Sequence, residues 1–313
     1  MDIASILLVV AGLCLFETVS SLDNAIVNAG VLATLGERAR RWFLTWGLLI
    51  AVFVIRGLLP WFIVWATVPS LGPAGSFTAA FSSDPRVMGA VEAAAPVLLI
   101  GGGTFLVFLF LHWLFLEDKR FGVRGERYLR EKGAWFFAVV SLLLVAIVWL
   151  AIARAPALAL GAVAGSAAFF IVHGFRENAE TREKRLRGSG ISDLSKVFYL
   201  EVIDATFSID GVLGAFAFTL SVPLIILGNG LGALVVRELT IGNIDRIRRY
   251  AFLKNGAMYS ILALGVIMIL DSFGVRIPVY LSPLVTFVVV GYFFAKSVRF
   301  ARSGEGERKT SGG

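Results

Sequence analysis

Long apolar stretches alternate with short polar or basic segments along almost the whole chain. A helix rises 1.5 Å per residue, so roughly 20 apolar residues are needed to cross a ~30 Å hydrocarbon core. On that measure the pattern predicts nine spans, near residues 3–31, 42–67, 93–116, 134–153, 157–173, 197–219, 221–241, 250–270 and 279–300. The ten-residue alternation of an outer-membrane barrel is absent. The expected fold class is therefore all-α, a polytopic membrane helix bundle forming one transmembrane domain over residues 1–302. Residues 303–313 read as a disordered cytoplasmic tail. The first apolar stretch opens at Asp2 without a basic leader or a small-residue cleavage site, so it is expected to remain as a span.

Composition supports the same reading. Of the 313 residues 58% are hydrophobic and only 16% are charged, with a mean hydropathy of +0.82. Soluble domains carry about 25% charged residues, so too little polar surface is available to coat one. The net charge of +7 follows from topology rather than from nucleic-acid binding. Twenty-three of the 29 Lys and Arg fall after spans 1, 3, 5, 7 and 9, whereas the opposite loops hold Arg86, Arg154 and Arg276. By the positive-inside rule this puts the N-terminus outside and the C-terminus in the cytoplasm, with a prokaryotic inner membrane as the expected location. The single cysteine, Cys14, excludes an internal disulfide and a cysteine-based zinc site.

Two stretches repeat each other. Residues 17–24 read E-T-V-S-S-L-D-N and residues 204–211 read D-A-T-F-S-I-D-G. In each, a carboxylate is followed four residues later by Ser21 or Ser208 and six later by Asp23 or Asp210. In the spans that follow, Gly47 precedes Arg56 and Gly228 precedes Arg237 by the same interval. Span 1 enters from outside and span 6 from inside, so spans 1–3 and 6–8 are expected to form an inverted-topology repeat. Spans 4–5 then act as connector and span 9 is appended. Transporters of this architecture place their substrate near the midplane, where the repeats meet.

Glu17, Asp23, Asp204 and Asp210 lie inside apolar stretches, with Glu201 one turn before Asp204. Each carboxylate costs a few kcal/mol at the bilayer centre, so each requires a partner. Only Arg56 and Arg237 are available as buried bases, which leaves a deficit for a cation or protons to fill. On a regular helix Glu17, Ser21, Asn24 and Asn28 share one face, whereas Asp23 lies about 120° from Glu17. Either each helix faces two partners, or each unwinds between its carboxylates to bring both to one ion. Carboxylate, amide and hydroxyl oxygens suit Mg²⁺, Ca²⁺ or Mn²⁺. Asn229 is a further candidate oxygen donor. Gly101–Gly103 either permits close helix approach or breaks span 3, and His112 and His173 read as interfacial packing.

The segments E-T-V-S-S-L-D-N-A (Glu17 to Ala25) and D-A-T-F-S-I-D-G-V (Asp204 to Val212) resemble the paired acidic signatures of TerC-family membrane proteins, in the wider LysE-like superfamily. K-N-G-A-M-Y-S (Lys254 to Ser260) and L-D-S-F-G-V (Leu270 to Val275) resemble the same family, in its uncharacterised branch. The resemblance implies metal homeostasis and Mn²⁺ export. It implies a metal site formed by Glu17, Asp23, Asn24, Asp204, Ser208 and Asp210, with Ser21, Asn28, Arg56, Glu201, Asn229 and Arg237 behind it. One departure is Gly211, where better-studied members often carry Ser.

The function expected is secondary export of a divalent metal, Mn²⁺ first, coupled to H⁺ or Na⁺. The metal is cargo rather than a tightly bound cofactor, and the expected partners are the ion and the bilayer, with no nucleic acid. No G-x4-G-K-[ST] motif offers ATP coupling, and the chain is not expected to be an enzyme. The alternatives are a membrane scaffold that hands metal to partner proteins and an intramembrane hydrolase such as a lipid phosphatase. The topology has a direct test. In a Cys14-free background, cysteine at Ala80 should be labelled from outside and cysteine at Gly188 only from inside. The reverse pattern at either position would overturn the orientation and the inverted repeat with it.

Overall fold

In the computed structural model the described residues are 2–22, 25, 32, 34–47, 50, 58, 61, 62, 65, 69–79, 85–186, 192–242 and 249–303. They are mostly helical, with no strand among them. The long helices are α1 (Ile3–Ser20), α4 (Pro85–Leu116), α6 (Phe136–Ile152), α7 (Pro156–Leu186), α8 (Asp193–Ala215), α9 (Val222–Gly242), α10 (Leu253–Ser272) and α11 (Leu281–Arg302). Short helices α2 (Glu37–Trp42), α3 (Gly72–Ala79) and α5 (Glu126–Glu131) lie between them.

Seven segments among the described residues are long and apolar enough to cross a membrane: Ile3–Ser20, Glu92–Leu116, Gly133–Ile152, Pro156–Phe175, Val222–Leu239, Leu253–Ser272 and Leu281–Arg302. These correspond to seven of the nine expected spans. Span 2 (42–67) lies mostly outside the described residues. Span 6 forms α8, a continuous helix whose Glu201, Asp204 and Asp210 make it too acidic to qualify on hydropathy. The chain is a multi-pass helical membrane protein. Leu142, Val145, Trp149 and Leu150 on α6 are all more than half exposed, a face suited to lipid.

The core sits around α4. The apolar window of α4 is 72% buried, whereas that of α6 is 22% buried, so α4 is central and α6 peripheral. Apolar side chains gain little by leaving lipid for protein, so close backbone approach has to supply the attraction between helices. The glycine triplet of α4 provides it on two faces. A Cβ on Gly165 of α7 would run into the Gly101 backbone, and one on Gly103 would stand 2.7 Å from the Gly265 carbonyl of α10. The helix stays continuous through Gly101–Gly103, so the triplet serves close approach and does not break the span. The G-A-V-A-G run at 161–165 is the other half of the seam.

Contacts also fix the helix directions. Along α4 and α7 the partners rise together, from Val97 with Gly161 to His112 with His173, so these helices are parallel. Along α4 and α10 they run oppositely, from Gly102 with Met268 to Phe110 with Tyr259. Helix α1 is parallel to α9 (Leu13 with Gly228, Glu17 with Gly232) and antiparallel to α8 (Phe16 with Gly214, Glu17 with Gly211). It is also parallel to α11, since Gly12 meets Pro283 while Val19 and Leu15 meet Val290. With the α10–α11 and α6–α7 hairpins, α1, α4, α7, α9 and α11 point one way and α6, α8 and α10 the other.

The glycine seam predicts a contrast between two substitutions in one helix. Gly165→Ala should lower stability by roughly 1–3 kcal/mol, because its methyl meets fixed backbone rather than a movable side chain. Gly174 of α7 has nothing within 4 Å of its would-be Cβ, so Gly174→Ala should be neutral or stabilising by up to about 1 kcal/mol. Thermal unfolding of the detergent-solubilised protein compares the two.

Candidate functional site: a buried carboxylate between two acidic signatures

Helix α1 carries Glu17 into the bundle, and its side chain is 1% exposed. Ser21 Oγ, one turn later, donates a hydrogen bond to Glu17 Oε1. The room for this carboxylate comes from two glycines on other helices. A Cβ on Gly232 of α9 would stand 2.6 Å from Glu17 Cβ, and one on Gly211 of α8 would stand 2.8 Å from Glu17 Oε2. Gly211 is the position at which the sequence departs from the pattern it resembles. Here a side chain would compete with the Glu17 carboxylate for the same space.

Gly211 directly follows Asp210, so Glu17 of the first acidic signature comes up against the end of the second. Asp210 is half-buried on α8. Asp204 and Ser208 lie in the same unbroken helix, and their side chains are outside those described. Unwinding between the carboxylates is therefore not found in α8, where the backbone hydrogen bonds persist. In the first copy regular helix ends at Ser20, and Ser21 departs from it with ψ 0°. Asp23, Asn24, Asn28 and Arg56 lie outside the described residues. Among the described residues no three His, Cys, Asp or Glu side chains are arranged to hold a metal ion.

Two other expected residues are placed clearly. Asn229, on α9 between Gly228 and Gly232, is fully buried, and among the described residues neither Oδ1 nor Nδ2 has a hydrogen-bond partner. A buried amide left without partners costs roughly 1–3 kcal/mol, which is unusual unless something else binds it. Arg237, two turns further along α9, keeps a buried Nε without a partner among the described residues. Glu201 is half-buried on α8, with its carboxylate against Gly47. The N-terminus of α8 is tied to the segment after α1 through Gly36 N–H donating to Asp193 (3.1 Å) and Lys196 to Thr34 (3.3 Å).

A second polar cluster, at the C-terminal end of α4, was not anticipated from the sequence. Glu126, 2% exposed, accepts from Gly122 N–H (2.8 Å), Val123 N–H (3.1 Å), Asn255 Nδ2 (3.3 Å) and the Tyr259 hydroxyl (2.9 Å). Lys254 donates to Glu117 Oε2 at 2.7 Å, and Glu117 Oε1 lies 3.7 Å from His112 Nδ1. Burial alone would raise the Glu117 carboxyl, but the neighbouring His112 and the Lys254 ammonium outweigh it and hold it at about 2. Burial pulls the Lys119 ammonium, which donates to the Leu114 carbonyl at 2.7 Å, down to about 8. The one available signal was K-N-G-A-M-Y-S, whose Lys254, Asn255 and Tyr259 supply the donors from α10. Because Glu126 is saturated by fixed protein donors, this cluster reads as a clamp on the α4–α5 loop.

The clamp has a pH signature. A carboxyl depressed from 4.5 to about 2 on folding adds stability above about pH 4.5, which is lost as the pH falls toward 2. Lys254→Met removes part of that depression. The variant should be less stable than wild type at neutral pH and should lose less stability across this acid window. Equal melting-temperature differences between neutral and acid pH in the two proteins would contradict the pairing.

No curated protein and no solved structure matches the chain. Residues 22–304 match the family described as protein of unknown function, DUF475, a stretch running from the residue before Asp23 past the end of α11. The chain belongs to the DUF475 family.

Proposed function

We propose that this protein is a secondary transporter that exports divalent metal ions, with Mn²⁺ as the foremost candidate. The observation that carries the reading is the meeting of Glu17 with Gly211, which sets two acidic signatures about 190 residues apart against each other within the bundle. Glu17, Asp23, Asp204 and Asp210 are the proposed charged ligands, with Asn24 and Ser208 adjacent. Asn229 is the proposed neutral ligand. Its unpartnered amide is the type of group that completes a shell of oxygens around a hard cation. The coupling ion is proposed to be H⁺ or Na⁺.

The same proposal includes nine crossings and the inverted repeat. Helices α1 and α4 point the same way, so the chain between them has to return once, which supports a span near 42–67. The remaining helices then alternate in direction from α4 to α11. The pairings also interchange as an inverted repeat requires. Helix α1 runs parallel to α9, while α8 follows the segment at Gly36–Gly47 in the parallel sense. Helices α4 and α10 pair antiparallel across the centre through Gly103 and Gly265. The resemblance to TerC-family proteins favours Mn²⁺ over Ca²⁺, and the reluctance of Mg²⁺ to shed water disfavours it.

Two variants and one flux assay test the proposal. In proteoliposomes, wild type should move Mn²⁺, and Asp210→Asn at equal reconstitution should abolish the flux. Asn229→Leu should raise the melting temperature, because an unpartnered buried amide is replaced by an apolar group of similar size. It should also remove the stabilisation that added Mn²⁺ gives the wild type. Undiminished Mn²⁺ flux in Asp210→Asn, or Mn²⁺ stabilisation that survives in Asn229→Leu, would remove those residues from the site.

A further inference from the structure

At the end of α10 opposite the clamp, α4, α8, α10 and α11 converge on a cavity of about 120 Å³. Its walls are mostly apolar, with Leu99 of α4 and Ile267 and Met268 of α10 among them. Residues 216–220 after α8, residues 277–279 before α11, and Ser282 complete the lining, and Asp271 is the one charged residue in it among those described. Asp271 belongs to L-D-S-F-G-V, a segment to which the acidic signatures assign no role.

Asp271 stands in an electrostatically unfavourable place. It is the next-to-last residue of α10, at the negative end of the helix dipole, where an acid is destabilising. Residues 216–220 follow the last turn of α8, so the negative end of a second helix reaches the same cavity. The N-termini of α9 and α11 also come to this end of the bundle, but they offer few free donors. Ser221 N–H donates to Thr219 Oγ1 (3.1 Å), Leu281 N–H donates to the Pro278 carbonyl (2.9 Å), and Pro223 and Pro283 have no N–H. Ser282 Oγ is spent on the Ala217 carbonyl at 2.6 Å. Among the described residues no hydrogen bond or ion pair reaches the Asp271 carboxylate. Arg276, the one base in the loop that follows α10, makes no ion pair with it.

We propose that this cavity is a Na⁺ site. A carboxylate, a hydroxyl and the carbonyls past the end of a helix are hard oxygen donors, and helix C-termini joined to irregular backbone are where transporters hold Na⁺. One carboxylate balances one positive charge. A divalent ion would leave a net charge beside Leu99, Ile267 and Met268, which is costly without a second acid. The volume leaves room for the ion with several of its waters. Asp271 is exposed, so Na⁺ reaches it without crossing the bundle. In the expected orientation α10 runs outward, which puts the cavity on the external face. Na⁺ bound there is the coupling ion, entering where the metal leaves. That role rests on the exporter reading, whereas the site itself does not.

Thermal unfolding of the detergent-solubilised full chain tests the site without any transported metal. Melting temperatures are compared in NaCl, KCl, CaCl₂ and choline chloride at one ionic strength. Na⁺ should raise the wild-type melting temperature saturably over choline, and by more than K⁺ or Ca²⁺ does. Asp271→Asn should melt higher than wild type in choline, because a negative charge has left two helix C-termini, and it should lose the Na⁺ response. Its higher melting temperature guards against reading misfolding as lost binding. A wild type indifferent to Na⁺, an equal response to K⁺, a larger response to Ca²⁺, or a Na⁺ response that survives in Asp271→Asn each overturns the site. Na⁺ stabilisation of this kind in a protein without Mn²⁺ flux would leave the inference standing and remove only the exporter reading.

Discussion

Three consecutive glycines let α4 lie against two helices at backbone distance, and most of the bundle is arranged around that fact. In lipid, helices are not driven together by water, so contact has to come from close-fitting backbones and from polar links between them. Gly101 meets α7 and Gly103 meets α10 on different faces of one helix. Large side chains then fill the space beyond the triplet, with Phe105, Phe108 and Trp113 all at most 1% exposed. Because α7 and α10 are thus set parallel and antiparallel to α4, the directions of α6 and α11 follow through their hairpins.

Against this packed frame, the two deeply buried carboxylates are handled in different ways. Glu126 is enclosed by donors that cannot leave, two of them backbone N–H groups and two from α10. Such a carboxylate holds a loop in place and has little remaining capacity to accept from anything else. Glu17 takes a hydrogen bond from the mobile hydroxyl of Ser21, and glycines on α8 and α9 clear space around it. Glu17 is thus enclosed by backbone cleared of side chains on two neighbouring helices, whereas Glu126 is enclosed by fixed donors.

The sequence made the helical membrane architecture plain, because a run of twenty apolar residues has few other uses. It also made the two acidic signatures plain, since carboxylates in such runs are rare. Helix α8 shows where hydropathy alone falls short: Glu201, Asp204 and Asp210 make it too polar to qualify as a simple span. The seam was only half legible. Gly101–Gly103 stood out, yet the spacing of Gly161 and Gly165 went unread, because pairing two small-residue runs requires knowing which helices touch. The clamp at Glu126 and the His112–His173 contact were illegible for the same reason. Their partners come from α4, α7 and α10, and nothing local in the chain announces that those helices converge. Unwinding between Asp204 and Asp210 was suggested by their angular separation, whereas the α8 backbone stays helical through both positions.

The glycine seam also has a bearing on the order of assembly. Helix α4 leaves the ribosome before α7 and α10, so during synthesis its triplet enters the bilayer without either partner. A bare backbone stripe of this kind is a weak match for lipid chains and a ready surface for any passing helix with small residues. The α6–α7 hairpin follows directly after the α4–α5 loop, and it delivers Gly161 and Gly165 to one side of the stripe first. The second side stays uncovered until α10 has been made. The chain order thus has α6 and α7 available to cover one side of the central helix while the second acidic signature is still being translated.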